Sequence, residues 1–204
     1  MVVHAVIFDI GGVLERTEEV HVFLDPWRER LGMTDDAFTA ALTAADPDNG
    51  MGTGGMSLDQ WRNRCTEELG LSSEQADAFV ADMWDWYCGE LDEELLAYAA
   101  SLRPRYQTAI ISNSGSGARE VEEARYGFST YFDPIIYSHE VGLLKPDPRI
   151  YALACDRLGL VPEEMVFLDD SQVCVDGARA FGMHGVLHES TATSIRAIDA
   201  LLAG

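Results

Sequence analysis

Three apolar runs in this chain each end in side chains that can do chemistry. Val2-Val3-His4-Ala5-Val6-Ile7-Phe8 empties into Asp9, with Ile10-Gly11-Gly12-Val13 after it. Gln107-Thr108-Ala109-Ile110-Ile111 runs into Ser112-Asn113-Ser114, and Met165-Val166-Phe167-Leu168 into Asp169-Asp170-Ser171. Each run has the length and composition of a buried strand. In open α/β sheets, ligands bind in the crevice beyond the carboxyl ends of the strands. A carboxylate delivered there packs poorly and is well placed to act as a nucleophile or a metal ligand. Three such tips point to one shared site. The cations add a fourth piece. All but one of the 14 Lys and Arg side chains are arginine, the exception being Lys145 in Gly142-Leu143-Leu144-Lys145-Pro146-Asp147-Pro148. Lysine is a compact point charge suited to phosphate, whereas arginine is a planar fork suited to bidentate pairing. Beside the three tips, the lone lysine reads as part of the same site.

These groups need elements to position them. From about residue 91 the pattern alternates helix and strand. Helical patterns cover 91–102, 116–126, 149–158, 175–181 and 194–202, with strands at 107–111, 134–137, 165–168 and 185–187. That alternation implies a parallel sheet with helices on both faces. Residues 16–90 differ in character. The Ala-rich stretch 35–45 reads as a helix. Ser57-Leu58-Asp59-Gln60 and Ser72-Ser73-Glu74-Gln75 have the capping-box form and open helical patterns over 61–69 and 76–87. The Gly-rich stretch 48–55 lacks the preceding strand and the Lys-Ser/Thr ending of a phosphate-binding loop, so it reads as a loop between helices. The expected fold is α/β. A Rossmann-like parallel sheet is built from residues 1–15 and 91–204. A small all-helical cap, residues 16–90, is inserted after the first strand and sits over the strand tips.

Composition bounds the partners. A length of 204 residues and a hydrophobic fraction of 47% suit one α/β core with a modest insertion. The formal net charge of −21 argues against nucleic acid, while a small anion can bind where a metal and Lys145 reverse the local field. No run approaches the ~20 apolar residues that span a bilayer. The start has neither the basic flank nor the cleavage pattern of a secretory signal. The four cysteines are scattered without a CxxC pair and read as reduced thiols, which points to the cytoplasm.

Taken together, the residues resemble the haloacid dehalogenase (HAD) superfamily over essentially the whole chain. Four motifs stand in order: Phe8-Asp9-Ile10-Gly11-Gly12-Val13; Ser112-Asn113; Lys145-Pro146-Asp147-Pro148; and Leu168-Asp169-Asp170 followed by Asp176-Gly177-Ala178. The helical insertion is similar to the small cap of the first subclass. The FDxGGV turn and paired aspartates look like the branch with the phosphatase domains of soluble epoxide hydrolases and small sugar-phosphate phosphatases. The resemblance implies a Mg²⁺-dependent hydrolase of a small phosphorylated metabolite. Asp9 would be the nucleophile and a Mg²⁺ ligand, and Gly11 would lend the metal its carbonyl. Asp170 would be the acidic ligand of the last motif, with Asp169 a further ligand or a partner of one. Ser112 and Asn113 would hold the phosphoryl group, and Lys145 would bridge Asp9 and the phosphoryl oxygens.

One position departs from the family. Phosphatases of this kind usually carry a second aspartate two residues after the first, where this chain has Gly11. That carboxyl protonates the leaving group and activates water, help typically worth ~10²–10⁴-fold. Three readings follow: a phosphatase favouring easy leaving groups, a 2-haloacid dehalogenase using Asp9 without metal, or a ligand- or partner-binding protein without turnover. The paired aspartates and the Gly-Gly turn favour the first, since dehalogenase relatives tend to have an aromatic residue at the Gly11 position. Glu15, just past the first motif, is a candidate replacement acid, and Arg16 a candidate contact for an anionic substrate. His184 and His188 flank a strand and read as structural, as does His139 in the approach to Lys145. Cys174, beside two aspartates, reads as packing. Trp61, Trp84, Trp86 and Tyr87 read mostly as cap core, with one or two free to face a substrate.

Overall fold

The computed structural model describes residues 2–204. The elements in chain order are β1 (Ala5–Phe8), β2 (Glu15–Arg16), α1 (Val20–Leu31), α2 (Asp35–Ala45), α3 (Gly50–Thr53), α4 (Leu58–Leu69), α5 (Ser73–Cys88) and β3 (Glu90–Leu91). They continue with α6 (Glu93–Leu102), β4 (Gln107–Ser112), α7 (Ala118–Tyr126), β5 (Ile135–Tyr137) and α8 (Ser138–Val141). The last are α9 (Pro148–Leu158), β6 (Met165–Asp169), α10 (Gln172–Phe181), β7 (His184–Leu187) and α11 (Thr191–Leu202).

Five strands form a parallel sheet in the order β5-β4-β1-β6-β7. The chain starts at β1, winds outward through β4 and β5, then crosses back to the other side of β1 for β6 and β7. The reversal puts the topological switch at β1, where a doubly wound sheet opens a crevice beyond its strand ends. The expected α/β sheet is therefore present, with β1 at its centre. Because alternate strand residues face opposite ways, Val6 and Phe8 pack with α6 and α11 in one apolar cluster. Ala5 and Ile7 pack with α9 and α10 in another. β1 is fully buried on both faces, so its sequence reads as an unbroken apolar run.

The expected helices are all present, to within a few residues at each end. Both capping boxes form as reciprocal bonds: Gln60 N–H donates to Ser57 Oγ, and Ser57 N–H returns one to the Gln60 side chain. Ser72 and Gln75 repeat the pattern. Besides the short helix α8, three features were not expected. Helix α1 has no side-chain N-cap, carries Pro26 inside it, and leaves Val20 and Val22 exposed, so it lacks both a start signal and a clean apolar stripe. The Gly-rich stretch contains one short helix, α3. Finally, β2 and β3 pair antiparallel, Glu15 with Leu91 and Arg16 with Glu90, so the chain leaves and re-enters the sheet side by side.

Helices α1, α2, α4 and α5 bury an apolar cluster of their own, including Phe23, Trp27, Phe38, Cys65 and Phe79. The segment rests on the tips of β4 and β5 through its main-chain carbonyls. Ser116 Oγ donates to Met56 O (2.7 Å), Ser116 N–H to Met51 O (3.1 Å) and Ser138 Oγ to Gly52 O (2.8 Å). Among the described residues no helix is long and apolar enough to cross a membrane.

Candidate active site

The tips of β1 and β6 and the loop before α9 bring three side chains together. Lys145 Nζ lies 2.6 Å from Asp9 Oδ1 and 2.7 Å from Asp169 Oδ2. All three residues are buried, at 5%, 8% and 0% exposure respectively. The main chain fixes the spacing: Asp9 N–H donates to Leu168 O (2.9 Å), holding β1 and β6 in register up to their last residues. Asp169 Oδ1 accepts from Ser171 N–H (2.8 Å), so both its oxygens are engaged. Asp170 faces solvent, and carboxylate oxygens of Asp9, Asp169 and Asp170 lie within 4.8 Å of one another.

Three carboxylates, two of them buried, against one ammonium leave excess negative charge at the strand tips. Burial pushes the Asp9 carboxyl up; Lys145 pulls it back and Asp169 adds to the rise, leaving it at about 7. Burial and then Asp169 raise Asp170. Burial alone would lower the Lys145 ammonium, but Asp9 and Asp169 outweigh it and keep the amine charged. The arrangement suits a divalent cation among oxygen ligands.

The turn after β1 has two different glycines. Gly12 takes φ +75°, and a Cβ there would stand 2.2 Å from Asp170 Oδ2, so only glycine lets that carboxylate approach the turn. Gly11 is exposed, and a Cβ on it would meet nothing within 4 Å. Within the turn, Val13, Leu14 and Glu15 N–H donate to Ile10 O and Gly12 N–H donates to Glu15 O, which leaves the Gly11 carbonyl free.

Lys145 is held by its backbone. Asn113 Nδ2 donates to Lys145 O (3.0 Å), and Lys145 N–H donates to Asn113 Oδ1 (2.8 Å). The Asn113 amide thus spends both ends on positioning the lysine, a use its sequence position did not reveal. Gly177 of α10 lets the helix close on the same loop: a Cβ there would stand 2.7 Å from Pro146 Cβ. Ser112 ends β4, buried beside β1 and opposite Tyr137 of β5.

A cavity of about 370 Å³ opens beside Lys145, walled by Asn113 and Ser114 on the sheet side and by Asn49, Met51 and Tyr87 from the helical segment. Asn49 adopts φ +51°, a left-handed conformation that asparagine tolerates better than most residues. It is fixed by the turn in which Asp46 accepts from Gly50 and Met51 N–H. Asn49 and Met51 lie in the stretch read as a plain loop; the Asp48-Asn49-Gly50 turn was the available signal. Of the four aromatics weighed on the helical segment, Tyr87 reaches this wall. Trp61 stacks on Phe79, Trp86 donates to Glu18 O and stacks on Phe23, and Trp84 packs against the sheet cluster.

His184 pairs with Glu163 O and His188 with Ser194 Oγ, on separate partners and not as a metal pair. His139 sits in α8 with its Nδ1 2.9 Å from Ser114 Oγ. Cys174 is buried in the apolar cluster, which raises its thiol. Arg16 is exposed on the β2–β3 ribbon. Glu15 is buried, with neither carboxyl oxygen hydrogen-bonded.

A family model described as haloacid dehalogenase-like hydrolase matches residues 3–182. Bifunctional epoxide hydrolase 2 of Sus scrofa is 28% identical across 98% of this chain, which spans 39% of that protein's length. D-ribitol-5-phosphate phosphatase of Bacteroides thetaiotaomicron is 27% identical over 81% of this chain and 82% of its own. (S)-2-haloacid dehalogenase 1 of a Pseudomonas species is 35% identical over 40% of this chain and 36% of its own. A solved HAD family enzyme from Bacteroides thetaiotaomicron, in complex with magnesium and inorganic phosphate, superposes with a TM-score of 0.73 at 21% identity, covering 92% of this chain and 94% of its own.

Proposed function

The chain belongs to the haloacid dehalogenase-like hydrolases, and from that premise we propose that it is a Mg²⁺-dependent phosphomonoesterase acting on a small phosphorylated metabolite. The observation that carries this reading is the buried triangle of Asp9, Lys145 and Asp169 with Asp170 beside it. The residues fit a magnesium ion. Asp9 and Asp170 offer carboxylate oxygens, Gly11 a free carbonyl, and Asp169 either a further oxygen or an anchor for Lys145, while glycine at position 12 leaves Asp170 the room it needs. When bound, the metal would offset charge on the phosphoryl oxygens.

The chain's own groups do the rest. Asp9, freed from Lys145 on one oxygen, attacks phosphorus and carries the phosphoryl group as an aspartyl-phosphate, which water then hydrolyses. The Lys145 ammonium lies where it can meet the phosphoryl oxygens as Asp9 gives up its charge. Ser112 offers a hydroxyl at the β4 tip. The side-chain amide of Asn113 holds Lys145 in line, which leaves its main-chain N–H for the phosphoryl group. The acid triangle supports cation-assisted phosphoryl chemistry over halide displacement, which needs no cluster of carboxylates. Support for a sugar or polyol phosphate comes from the ribitol-phosphate phosphatase relative and from Asn49 on the cavity wall.

The test is phosphate release from a panel of aryl, acyl and sugar phosphates, with and without Mg²⁺, alongside halide release from 2-chloropropionate in EDTA. Phosphate release that requires Mg²⁺ supports the reading. Silence across the panel would favour a binding protein without turnover, and metal-independent halide release a dehalogenase.

A further inference from the structure

We infer that Asn49 selects the substrate through its leaving group, its side-chain amide binding a hydroxyl of a small polyol or sugar phosphate. The same cavity wall gives a second anionic group no partner, so the leaving group it accepts is uncharged. This assignment rests on the phosphatase reading and deepens it to a class of substrate.

Among the described residues Asn49 is the one non-glycine with a left-handed backbone, at φ +51° and ψ +45°. A side chain is held in that conformation only where its surroundings over-determine it, and such positions cluster at ligand sites. Here the turn does the holding. Asn49 O accepts from Thr53 N–H (3.1 Å) and Thr53 Oγ1 (3.0 Å), while the Asp46 carboxylate accepts from Gly50 and Met51 N–H. The loop is then tied to the core. Ser138 Oγ, from a residue with no exposure, donates to Gly52 O, and Ser116 Oγ reaches Met51 O and Met56 O. The Asn49 amide lies against Gly52, where a Cβ would stand 2.6 Å from its Oδ1 and 2.8 Å from its Nδ2. Glycine at position 52 therefore leaves the amide its place in the wall. The backbone of Asn49 is committed and its side chain is not: it caps nothing in α3 and makes no hydrogen bond among the described residues.

On the sheet side of the cavity the polar side chains are already engaged. The Asn113 amide is spent at both ends on Lys145, and Ser114 Oγ lies 2.9 Å from His139 Nδ1. Met51 and Leu144 add apolar surface. Lys145 is the one charged side chain in the wall, and it already touches Asp9 and Asp169. A carboxylate or second phosphate on the leaving group would enter this space without a cation of its own, in a chain of net charge −21. A hydroxyl meets no such cost, because the amide offers it both a donor and an acceptor. A site built around that bond rejects the analogue that lacks the hydroxyl.

The experiment measures kcat and KM for short polyol and sugar phosphates, their carboxylated counterparts, and p-nitrophenyl phosphate, whose leaving group has no free hydroxyl. In the unaltered protein, kcat/KM for the best polyol or sugar phosphate should exceed that of its carboxylated counterpart by about 10²-fold. Asn49→Gly deletes the amide and keeps the turn, since glycine adopts the left-handed conformation freely. It is expected to raise KM for the polyol or sugar phosphate about tenfold, with kcat held within about threefold. On p-nitrophenyl phosphate its kcat/KM should change by less than about threefold, which doubles as the check on folding. Equal losses on the two substrates, no loss on the polyol or sugar phosphate, or a carboxylated counterpart turned over as well as its parent would each overturn the role of Asn49. Turnover of p-nitrophenyl phosphate with the whole polyol and sugar panel silent would overturn it too, while leaving the phosphatase reading standing. Absence of phosphate from every substrate would overturn that reading and the role of Asn49 with it.

Discussion

The sheet and the helical segment above it handle polar groups in opposite ways. At the strand tips charged side chains are buried and locked: Lys145 touches two carboxylates, Asp169 has both oxygens engaged, and Asn113 clamps the lysine's backbone. The helical segment buries almost nothing polar in its own cluster. Its centre is Phe79, with Phe23, Trp27 and Trp61 at 5.1, 5.2 and 5.8 Å between ring centroids. What it lends the cavity is a wall of Asn49, Met51 and Tyr87. Preorganised charge, set on rigid elements, suits chemistry on a phosphoryl group. A wall supplied by a separate apolar cluster suits recognition, because it can vary without disturbing that charge.

Lys145→Met should break the sheet side hardest. It leaves Asp9 and Asp169 buried without their cation, so the expected loss of stability is about 3–5 kcal/mol, with turnover down by at least about 10²-fold. Denaturant midpoints and rates measured together check this, and a stable, active Lys145→Met would erase the distinction between the two regions. Phe79→Ala should cost a similar ~3–5 kcal/mol through the cavity it opens. Its signature differs: KM should rise while turnover of p-nitrophenyl phosphate at saturation stays within about threefold. A collapse of kcat with unchanged KM would show that the helical cluster supports the chemistry itself.

The smallest effect concerns pH. The Glu122 carboxyl stands at about 7 in the fold against an ordinary 4.5, so the folded chain holds its proton more tightly than the unfolded one. The stability it contributes is complete below pH 4.5 and is lost as pH rises through 7. Glu15 acts in the same sense up to about 9. Thermal midpoints should therefore fall between pH 5 and pH 8, and Glu122→Gln should make that fall shallower. A steeper fall, or none in the unaltered chain, would contradict the assignment of buried protonated carboxyls.

The same contrast governs what could be read from the sequence. The strand tips were legible because an apolar run that stops at Asp9, Ser112 or Asp169 announces both the strand and its chemistry. Lys145 stood out as the lone lysine. Both capping boxes announced helices α4 and α5. Helix α1 stayed hidden because Glu19 gives no side-chain cap and Val20 and Val22 face solvent. The β2–β3 ribbon, two residues a side, is too short for any period to register. Glu122 was missed because Arg119-Glu120-Val121-Glu122-Glu123 looks like a charged surface stretch; the single clue was its place four residues after Ala118, on the buried face of α7. Asn113 was legible as a site residue, but its bonds to the Lys145 backbone depend on a loop 32 residues away.

The central claim is that Asp9 carries the phosphoryl group. Acid quenching of a reaction with a ³²P-labelled substrate, followed by peptide mapping, tests it most directly. The account predicts a hydroxylamine-sensitive label on the peptide containing Asp9, present only with Mg²⁺ and absent in Asp9→Asn, which should fold normally and turn over at least about 10⁴-fold more slowly. Turnover without label in the unaltered protein, or undiminished turnover in Asp9→Asn, would contradict it.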